Sequence, residues 1–389
     1  MTEKPPTANW NYPTSVRFGV GRLAELPTAC ATTGIARPLL VTDPGLAASS
    51  MVKRALDFMS QAGMKPGLFS ALKPNPVARN VEDGIAALRA GSHDGVVAMG
   101  GGSALDTGKV IAFQAGQTRP LWDFEDIGDW WTRANADAIK PVVAIPTTAG
   151  TGSEVGRAGV IINEAEHRKY IIFHPRMMPR VVISDPELTQ GLPPHLTAAT
   201  GMDALAHNLE AYCAPFYHPL ADGIALEGMR LVKEWLPVAF RDGGNLSARG
   251  HMLAAASMGA TAFQKGLGAI HAMSHPVGSI YDTHHGLTNA VVMPYVLVKN
   301  RRAIEEKMNR VARYLGFTGT FDSMLAWVLD LRRELRIPHT LAELGVSEAR
   351  VPELAKMAAE DPNNGGNPPP LSAAEYEALF ANAIKGRLE

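Results

Sequence analysis

Short apolar runs alternate with helical patterns along the first half of the chain. The apolar runs are PLLVT (38–42), DGVVAMG (94–100), PVVAIP (141–146) and RVVISD (180–185). Apolar runs of this length between turn signals predict buried strands. Helical periodicity covers residues 46–62, 81–90 and 104–114. This alternation predicts parallel strands joined by crossover helices, which is an α/β fold.

The pattern changes at about residue 191. Pro193 and Pro194 end the strand-bearing half, and the remaining pattern predicts helices separated by turn signals such as DGGN (242–245). DPNNGGNPPP (361–370) is a loop by composition. Because 389 residues are enough for two separate cores, we predict an α/β domain over residues 1–190 and an all-α domain over residues 191–389.

Composition narrows the classes of partner. The chain has 37 Lys and Arg against 38 Asp and Glu, and this balance argues against nucleic acid as a partner. The first residues lack an apolar signal-like stretch, and no apolar run approaches the ~20 residues that span a bilayer. We therefore expect a cytoplasmic protein without a membrane partner. Cys30 and Cys213 are far apart and lack CxxC spacing, so any metal must be held by His and carboxylate groups.

Two polar loops follow predicted strands. GGGSALDTGK (100–109) precedes a helical pattern, and a glycine-rich helix start lets backbone N–H groups approach a phosphate. A tight turn is the open alternative. PTTAGTGSE (146–154) combines hydroxyls with two glycines, which suits a diphosphate or a ribose, or else forms a surface loop.

Asp43 ends the first of these strands. An acid at this place commonly accepts hydrogen bonds from the adenosine ribose and repels the extra phosphate of NADP, which favours NAD. An Asp that caps the turn before Pro44 is the alternative.

Histidines and one acid point to a metal. Asp203 and His207 are spaced i, i+4 in a helical pattern and so share one face; an ordinary hydrogen-bonded pair is the alternative. Residues 266–290 then hold four of the chain's 12 histidines among small and apolar residues: His271, His275, His284 and His285. Three imidazoles and one carboxylate would suit Zn²⁺ or Fe²⁺ rather than Ca²⁺ or Mg²⁺.

The motifs GGGSALDTGK, PTTAGTGSE, GMDALAH and GLGAIHAMSHPVGSIYDTHHG resemble, in order and spacing, those of the iron-containing (group III) alcohol dehydrogenases, which are related in architecture to glycerol dehydrogenase and dehydroquinate synthase. The resemblance extends over nearly the whole chain, including the flanks KPNP (73–76) and GNP (366–368). It implies a Rossmann-like nucleotide-binding domain followed by a helical domain, at least a homodimer, and reversible hydride transfer between an alcohol and NAD.

The same resemblance implies roles for individual residues. Asp203, His207, His271 and His285 match metal-ligand positions, His284 has no counterpart, and His275 matches a histidine near nicotinamide and substrate, our candidate for relaying the alcohol proton. Asp43 matches the acid that selects NAD over NADP, and Asn75 a position near the adenine. The other implied cofactor contacts are Gly101, Gly102, Ser103 and Asp106 at the pyrophosphate and ribose, and Thr147, Thr148, Thr151 and Lys169 further along the cofactor.

Two cations depart from the family pattern. Arg157 stands where many relatives have an uncharged residue, and Lys265 stands where Asn is usual. Cations close to the catalytic motifs suggest an anionic substrate of the 4-hydroxybutyrate type. The alternative is that both cations are solvated or structural.

Three rival functions remain open. A lyase like dehydroquinate synthase would use NAD only transiently, and the GMDALAH and HAMSHP motifs argue against it. A metal-free reductase of the maleylacetate type is expected to lack the ligand histidines. A nucleotide-binding module without catalysis has no need of four filled metal-ligand positions.

Overall fold

The structure is a computed structural model that describes residues 8–10, 14–166 and 168–389. The chain divides into two compact units. The first comprises Met1–Thr148 and Gly152–Gly191, and the second comprises Ala149–Thr151 and Leu192–Glu389. Three residues at the tip of the PTTAGTGSE loop therefore belong to the second unit.

The first unit is built on a mostly parallel sheet. Its strands are β1 (Ala8–Trp10), β2 (Ser15–Phe18), β3 (Pro38–Val41), β4 (Gly67–Phe69), β5 (Gly95–Gly100), β6 (Val142–Pro146), β7 (Ala158–Asn163), β8 (Arg168–Phe173) and β9 (Val181–Ser184). Among the described residues, seven strands form one sheet in the order β1, β2, β9, β6, β5, β3, β4. β1 is antiparallel to β2, and the other neighbouring strands are parallel. The predicted α/β fold is confirmed.

Burial explains why the apolar runs become central strands. Every residue of β3, β5, β6 and β9 is buried, as expected for parallel strands covered on both faces. The hairpin of β7 and β8 was not predicted. Its burial alternates along β7, so it lacks the continuous apolar run by which we recognised the other strands.

Five α-helices are found in the described part of the first unit: α1 (Leu26–Thr33), α2 (Pro44–Ala47), α3 (Ser50–Gln61), α4 (Ala78–Ala90) and α5 (Gly102–Gln114). The single helix predicted over residues 46–62 is wrong in one respect, because α2 ends before α3 begins. The Ser49 side chain accepts a hydrogen bond from the Val52 N–H and so caps the start of α3.

The second unit is helical, as predicted. Its helices are α6 (Pro194–Cys213), α7 (Pro219–Arg241), α8 (Leu246–Ala262), α9 (Ala269–Tyr281), α10 (His285–Tyr314), α11 (Phe321–Glu334), α12 (Val351–Glu360) and α13 (Ala373–Lys385). Every residue of α6 from Thr197 to Cys213 is buried, so polar side chains on this helix lie in the interior. Among the described residues, no helix is long and apolar enough to cross a membrane.

Candidate metal centre and nucleotide-binding loops

Three helices bring the predicted metal ligands together. Asp203 and His207 lie one turn apart on α6, His271 lies in the first turn of α9, and His285 is the first residue of α10. One ligand atom from each of these residues lies within 4.8 Å of the corresponding atoms of the other three. The structure thus gathers the four predicted positions into one cluster.

A glycine lets two of these helices approach closely. A Cβ added to Gly286 would lie 2.4 Å from the Ala199 carbonyl oxygen and 2.9 Å from the Asp203 Cβ. Both distances are too short for a side chain, so the start of α10 can press against α6 only with glycine here. The preceding residue, His285, is thereby brought to the Asp203 carboxylate, 3.7 Å from its Nε2 atom to Oδ1.

His284, the neighbour of His285, serves a different purpose. It is the N-cap residue of α10, and its Nδ1 atom accepts a hydrogen bond from the Leu287 N–H at 3.3 Å. Of these two adjacent histidines, His285 joins the cluster and His284 caps the helix.

The cluster is buried except at His285, which is partly exposed, and it is rich in potential metal ligands. Asp203 is 2 % exposed, and in the described part of the chain its ion-pair partners are His207 and His285 rather than Lys or Arg. Burial lowers the pKa of His207 to about 4, although Asp203 opposes the shift. His207 is therefore neutral at neutral pH and has the lone pair that a metal requires.

Further polar groups orient the imidazoles. The His271 Nδ1–H group donates to Glu210 Oε2 at 2.5 Å, which leaves the Nε2 lone pair for a metal. Burial alone would lower the pKa of His271, but Glu210 outweighs it, so the pKa lies above its usual value. The Ser274 hydroxyl lies 3.3 Å from Nδ1 of His285.

Asn289 lies one turn after His285 and is fully buried. Its Nδ2 atom donates to Asp203 Oδ1 at 2.8 Å and lies 3.3 Å from Nε2 of His271 and 3.2 Å from Nε2 of His285. One neutral amide group therefore faces a carboxylate oxygen and two imidazole nitrogens at once. Atoms that can bind a metal here converge on an uncharged amide instead of on a charged partner. This arrangement is expected of residues that hold a cation, so the four side chains fit a metal.

The chemistry of the donors narrows the choice of ion. Three imidazole nitrogens and one carboxylate oxygen suit Zn²⁺ or Fe²⁺, whereas Ca²⁺ and Mg²⁺ prefer oxygen. Neither cysteine is part of the cluster, as the spacing of Cys30 and Cys213 predicted.

His275 lies beside the metal cluster and is held by a residue that the sequence did not single out. It is one turn from His271 on α9, and its ring stacks on that of His285 with centroids 5.5 Å apart. Its Nδ1–H group donates to Asp361 Oδ2 at 2.8 Å. Burial alone would raise the pKa of Asp361, but His275 and Asn363 outweigh it and hold that pKa below its usual value.

In the first unit, the glycine-rich loop has the geometry of a phosphate site. α5 begins at Gly102, with Gly101 as its N-cap residue and no side chain bonded to the cap, so the first-turn N–H groups can meet an anion. Ser103 lies in the first turn, and its hydroxyl donates to the Pro74 carbonyl. That contact joins the KPNP segment, which contains Asn75, to the start of α5.

Asp106 has structural partners within the same unit. Its carboxylate accepts hydrogen bonds from the Ser153 hydroxyl at 2.5 Å and from the Val160 N–H at 3.0 Å. It also lies 3.2 Å from the Lys109 ammonium. These contacts give Asp106 a role in holding β7 against α5, and the predicted contact with the cofactor stays a prediction.

Asp43 is the N-cap residue of α2, and its side chain accepts from the Leu46 N–H at 3.1 Å. The capping role that was the alternative for Asp43 therefore accounts for one of its two carboxylate oxygens. The other lies close to the glycine-rich loop, since a Cβ built on Gly100 would be 3.3 Å from Asp43 Oδ2. The predicted ribose contact of Asp43 stays a prediction.

The remaining predicted cofactor residues fall on two neighbouring segments. Thr147 and Thr148 follow β6, and a Cβ on Gly101 would meet the Thr148 side chain at 3.4 Å, so both polar loops adjoin. Thr151 belongs to the second unit, and Lys169 lies in β8 opposite Ile162.

The two cations predicted to bind substrate differ in their surroundings. The ammonium of Lys265 is buried; it contacts the Asp222 carboxylate and donates to the Tyr212 carbonyl oxygen at 3.1 Å. These contacts favour the structural interpretation of Lys265. Arg157 is exposed, with its guanidinium 5.5 Å from the centre of the Phe173 ring.

Four residues that contribute to the site were not predicted from the sequence: Glu210, Ser274, Asn289 and Asp361. Glu210 follows His207 by three residues on the same helix face, and Asn289 follows His285 by four, so helical spacing from a predicted ligand would have found both. Asp361 is 86 residues from His275, and no local pattern connects them.

One unit has a parallel sheet with a helix that begins at a glycine-rich loop, and the other unit is helical and holds a His and Asp cluster. Together these are the components of a metal-dependent dehydrogenase. Family models agree: that of the iron-containing alcohol dehydrogenases matches residues 13–186, and that of the C-terminal part of the Fe-containing alcohol dehydrogenase family matches residues 197–384. The chain belongs to the iron-containing alcohol dehydrogenase family and is an oxidoreductase that acts on CH–OH groups.

Individual relatives support this assignment. The chain is 38% identical to a 4-hydroxybutyrate dehydrogenase of Cupriavidus necator over 96% of this chain and 99% of that protein. It is also 38% identical to a 1,3-propanediol dehydrogenase of Klebsiella pneumoniae over 94% and 96% of the two chains. The crystal structure of a 1,3-propanediol oxidoreductase superimposes with a TM-score of 0.90 at 36% identity, covering 98% of this chain and 100% of that one.

Proposed function

We propose that this protein is an NAD-linked dehydrogenase of short primary alcohols that carry a second polar group, and that an ω-hydroxy acid of the 4-hydroxybutyrate type is its substrate. The observation that carries the proposal is the buried cluster of Asp203, His207, His271 and His285, whose donor atoms lie within 4.8 Å of one another. The metal is Fe²⁺ or Zn²⁺, because the same donors serve either ion.

Each group has a definite task in this scheme. The four ligands and their partners Glu210 and Ser274 would hold the ion, which when bound supplies a Lewis acid to the substrate oxygen. His275 relays the alcohol proton, since histidine is the side chain that most often transfers protons in catalysis. The start of α5 binds the cofactor diphosphate, and Asp43 favours NAD over NADP by binding the ribose.

Two relatives bear on the substrate class. The names of the Cupriavidus necator and Klebsiella pneumoniae proteins specify 4-hydroxybutyrate and 1,3-propanediol. Both molecules are short primary alcohols with a polar group at the far end, a carboxylate in one and a hydroxyl in the other. We assign the carboxylate because Arg157 is an exposed cation at a position where an uncharged residue is common in the family.

A carboxylate of the protein itself, that of Asp126, competes with the substrate carboxylate for Arg157. Burial raises the pKa of Asp126, and Arg157 partly opposes the shift, so the two side chains are electrostatic neighbours. We therefore base the substrate class on the exposure of Arg157, and we leave Lys265 out of the substrate site because Asp222 already neutralises it.

Steady-state kinetics of the metal-loaded enzyme test the substrate class. We expect kcat/KM for 4-hydroxybutyrate to exceed that for 1-butanol and 1,3-propanediol with NAD, and NADP to be the poorer cofactor. In the Arg157→Ala variant the preference for the hydroxy acid should fall about tenfold, mainly through KM, since an ion pair to the substrate is lost. The matched control Arg119→Ala removes another exposed guanidinium and should leave the ratio unchanged.

An equal preference for the three alcohols, unaltered by Arg157→Ala, would remove the hydroxy-acid assignment while leaving the dehydrogenase intact. Net formation of NADH distinguishes a dehydrogenase from a lyase that uses NAD transiently, and dependence on restored metal distinguishes it from a metal-free reductase. Cofactor binding without turnover after metal is restored would indicate a non-catalytic module. The homodimer implied by the family resemblance stays a prediction.

A further inference from the structure

We propose that Asp361 is a positioning residue for the reaction: it orients His275 and fixes the ring proton on Nδ1, so that Nε2 exchanges the proton of the substrate alcohol. The inference deepens the proposed function, since it rests on His275 as the proton relay. Asp361 acts through the histidine and needs no contact with the substrate.

The hydrogen bonds of Asp361 divide between its two oxygens. Oδ2 accepts from the Nδ1–H group of His275 at 2.8 Å. Oδ1 accepts from the backbone N–H and from Nδ2 of Asn363, both at 2.8 Å. The two hydrogen bonds from Asn363 fix Oδ1 and so fix the orientation of the Asp361 carboxylate. In this orientation Oδ2 faces the imidazole of His275.

The turn that contains Asp361 is itself fixed. Residues 361–370 were predicted to be a loop, but Pro362–Gly366 form a short 3-10 helix, and two buried asparagines hold the segment. Asn364 Nδ2 donates to the carbonyl oxygens of Ala359 and Leu371. Asn367 Oδ1 accepts from the Ala269 N–H at the first residue of α9 and from Asn300 on α10. Asp361 is thus tied to the helix that carries His275.

Tautomer control gives this contact a chemical consequence. A neutral imidazole has one donor and one acceptor nitrogen, and the bond made by one nitrogen decides the state of the other. A carboxylate at Nδ1 keeps the proton there and stabilises the imidazolium that forms when Nε2 accepts a proton. The proton leaves the alcohol oxygen, resides on Nε2 and then passes to solvent, while the hydride goes to NAD.

The geometry also distinguishes His275 from the neighbouring ligand His271. Both rings have a carboxylate at Nδ1, Asp361 for His275 and Glu210 for His271. The Nε2 atom of His271 belongs to the metal cluster, whereas His275 is not among the four residues of that cluster. The same contact, a hydrogen bond from Nδ1 to a carboxylate, therefore prepares His271 for metal binding and His275 for proton transfer.

The test uses the full-length enzyme loaded with metal, with 4-hydroxybutyrate and 1,3-propanediol as alternative substrates. Asp361→Asn should lower kcat about 100-fold with KM, metal stoichiometry, NADH binding measured by fluorescence and the thermal midpoint unchanged. Asp361→Ser should lower kcat equally, since serine keeps the helix cap but cannot reach His275. The control Asp330→Asn removes an exposed carboxylate paired with Arg333 and should retain full kcat.

A double-mutant cycle decides whether Asp361 acts through the histidine. In a His275→Asn background, adding Asp361→Asn should change kcat less than about twofold, because interacting residues are not additive. A further 100-fold loss in that background, or a loss accompanied by missing metal or a lower thermal midpoint, would overturn the proposal. If instead wild type lacks turnover, or His275→Asn keeps full kcat, the proposed function itself fails.

Discussion

Each unit of the molecule buries a charged cluster, and the two clusters differ in how they are neutralised. In the first unit Asp106 lies 3.2 Å from the buried ammonium of Lys109, which also donates to the Ser153 carbonyl at 2.9 Å. In the second unit Asp203 is surrounded by imidazoles and by the amide of Asn289. Among the described residues, the first cluster contains a lysine, whereas Asp203 in the second pairs with no Lys or Arg.

This difference separates a structural cluster from a binding site. A buried charge is stable only when it is paired and hydrogen-bonded. The cluster of Asp106 and Lys109 satisfies that condition with protein groups alone. The cluster around Asp203 gathers three imidazoles and a carboxylate without Lys or Arg, and this donor set suits an external cation.

The largest expected effect tests the second cluster. Asp203→Ala removes the anionic ligand, so bound Fe²⁺ or Zn²⁺ should fall well below one ion per chain and kcat/KM by about 10³-fold or more, since a Lewis acid contributes several kcal/mol. Elemental analysis and NADH formation measure the two quantities. The control Asp330→Asn alters an exposed carboxylate and should behave as wild type. Full metal content in Asp203→Ala would place the ion elsewhere.

The next effect tests the first cluster. Lys109→Met leaves Asp106 without its buried cation. Removing one partner of a buried ion pair lowers the free energy of unfolding by about 3–5 kcal/mol. Urea denaturation should show that loss in the free energy of unfolding, with the metal content unchanged. The control Lys53→Met removes an exposed ammonium from its pair with Asp57 and should cost about 0–1 kcal/mol. An unaltered stability for Lys109→Met would contradict the structural role.

The comparison also shows how far the sequence determines the site. Asp203 and His207 were predictable because helical spacing places i and i+4 on one face. Helical spacing also places Glu210 on the face of His207, but it does not show which ring each carboxylate meets: Glu210 bonds His271 across 61 residues, and Asp361 bonds His275 across 86. Such pairs depend on how helices pack, which periodicity does not specify.

The fold was predictable to a similar extent. Continuous apolar runs predicted β3, β5, β6 and β9 to within one residue at each end, because full burial imposes a composition that is visible locally. The hairpin of β7 and β8 is a local antiparallel pair, but burial alternates along β7, so it has no continuous apolar run that would predict it. The exposed or buried state of a cation also depends on packing, and the local sequence around Arg157 and Lys265 could not distinguish them.

The smallest effect concerns the partner of His271. Glu210 accepts two buried hydrogen bonds, from the Ile270 N–H at 2.7 Å and from His271 at 2.5 Å. Glu210→Gln offers one acceptor oxygen for these two donors, so either the ring or the backbone loses its partner. Removing a partner that orients a metal-bound histidine typically weakens metal affinity about 10–100-fold. We therefore expect the Kd for Zn²⁺ to rise by about that factor.

Competition with a chromogenic chelator measures this affinity without turnover. Ser274→Ala is the matched comparison, because its hydroxyl lies 3.3 Å from His285 Nδ1 and makes a longer, uncharged contact. Its Kd should rise less than that of Glu210→Gln, since hydrogen bonds to charged groups are the stronger ones. Equal effects of the two substitutions would mean that ring orientation, and not the charge of Glu210, sets the affinity. An unchanged Kd for Glu210→Gln would mean that packing alone holds His271 in place.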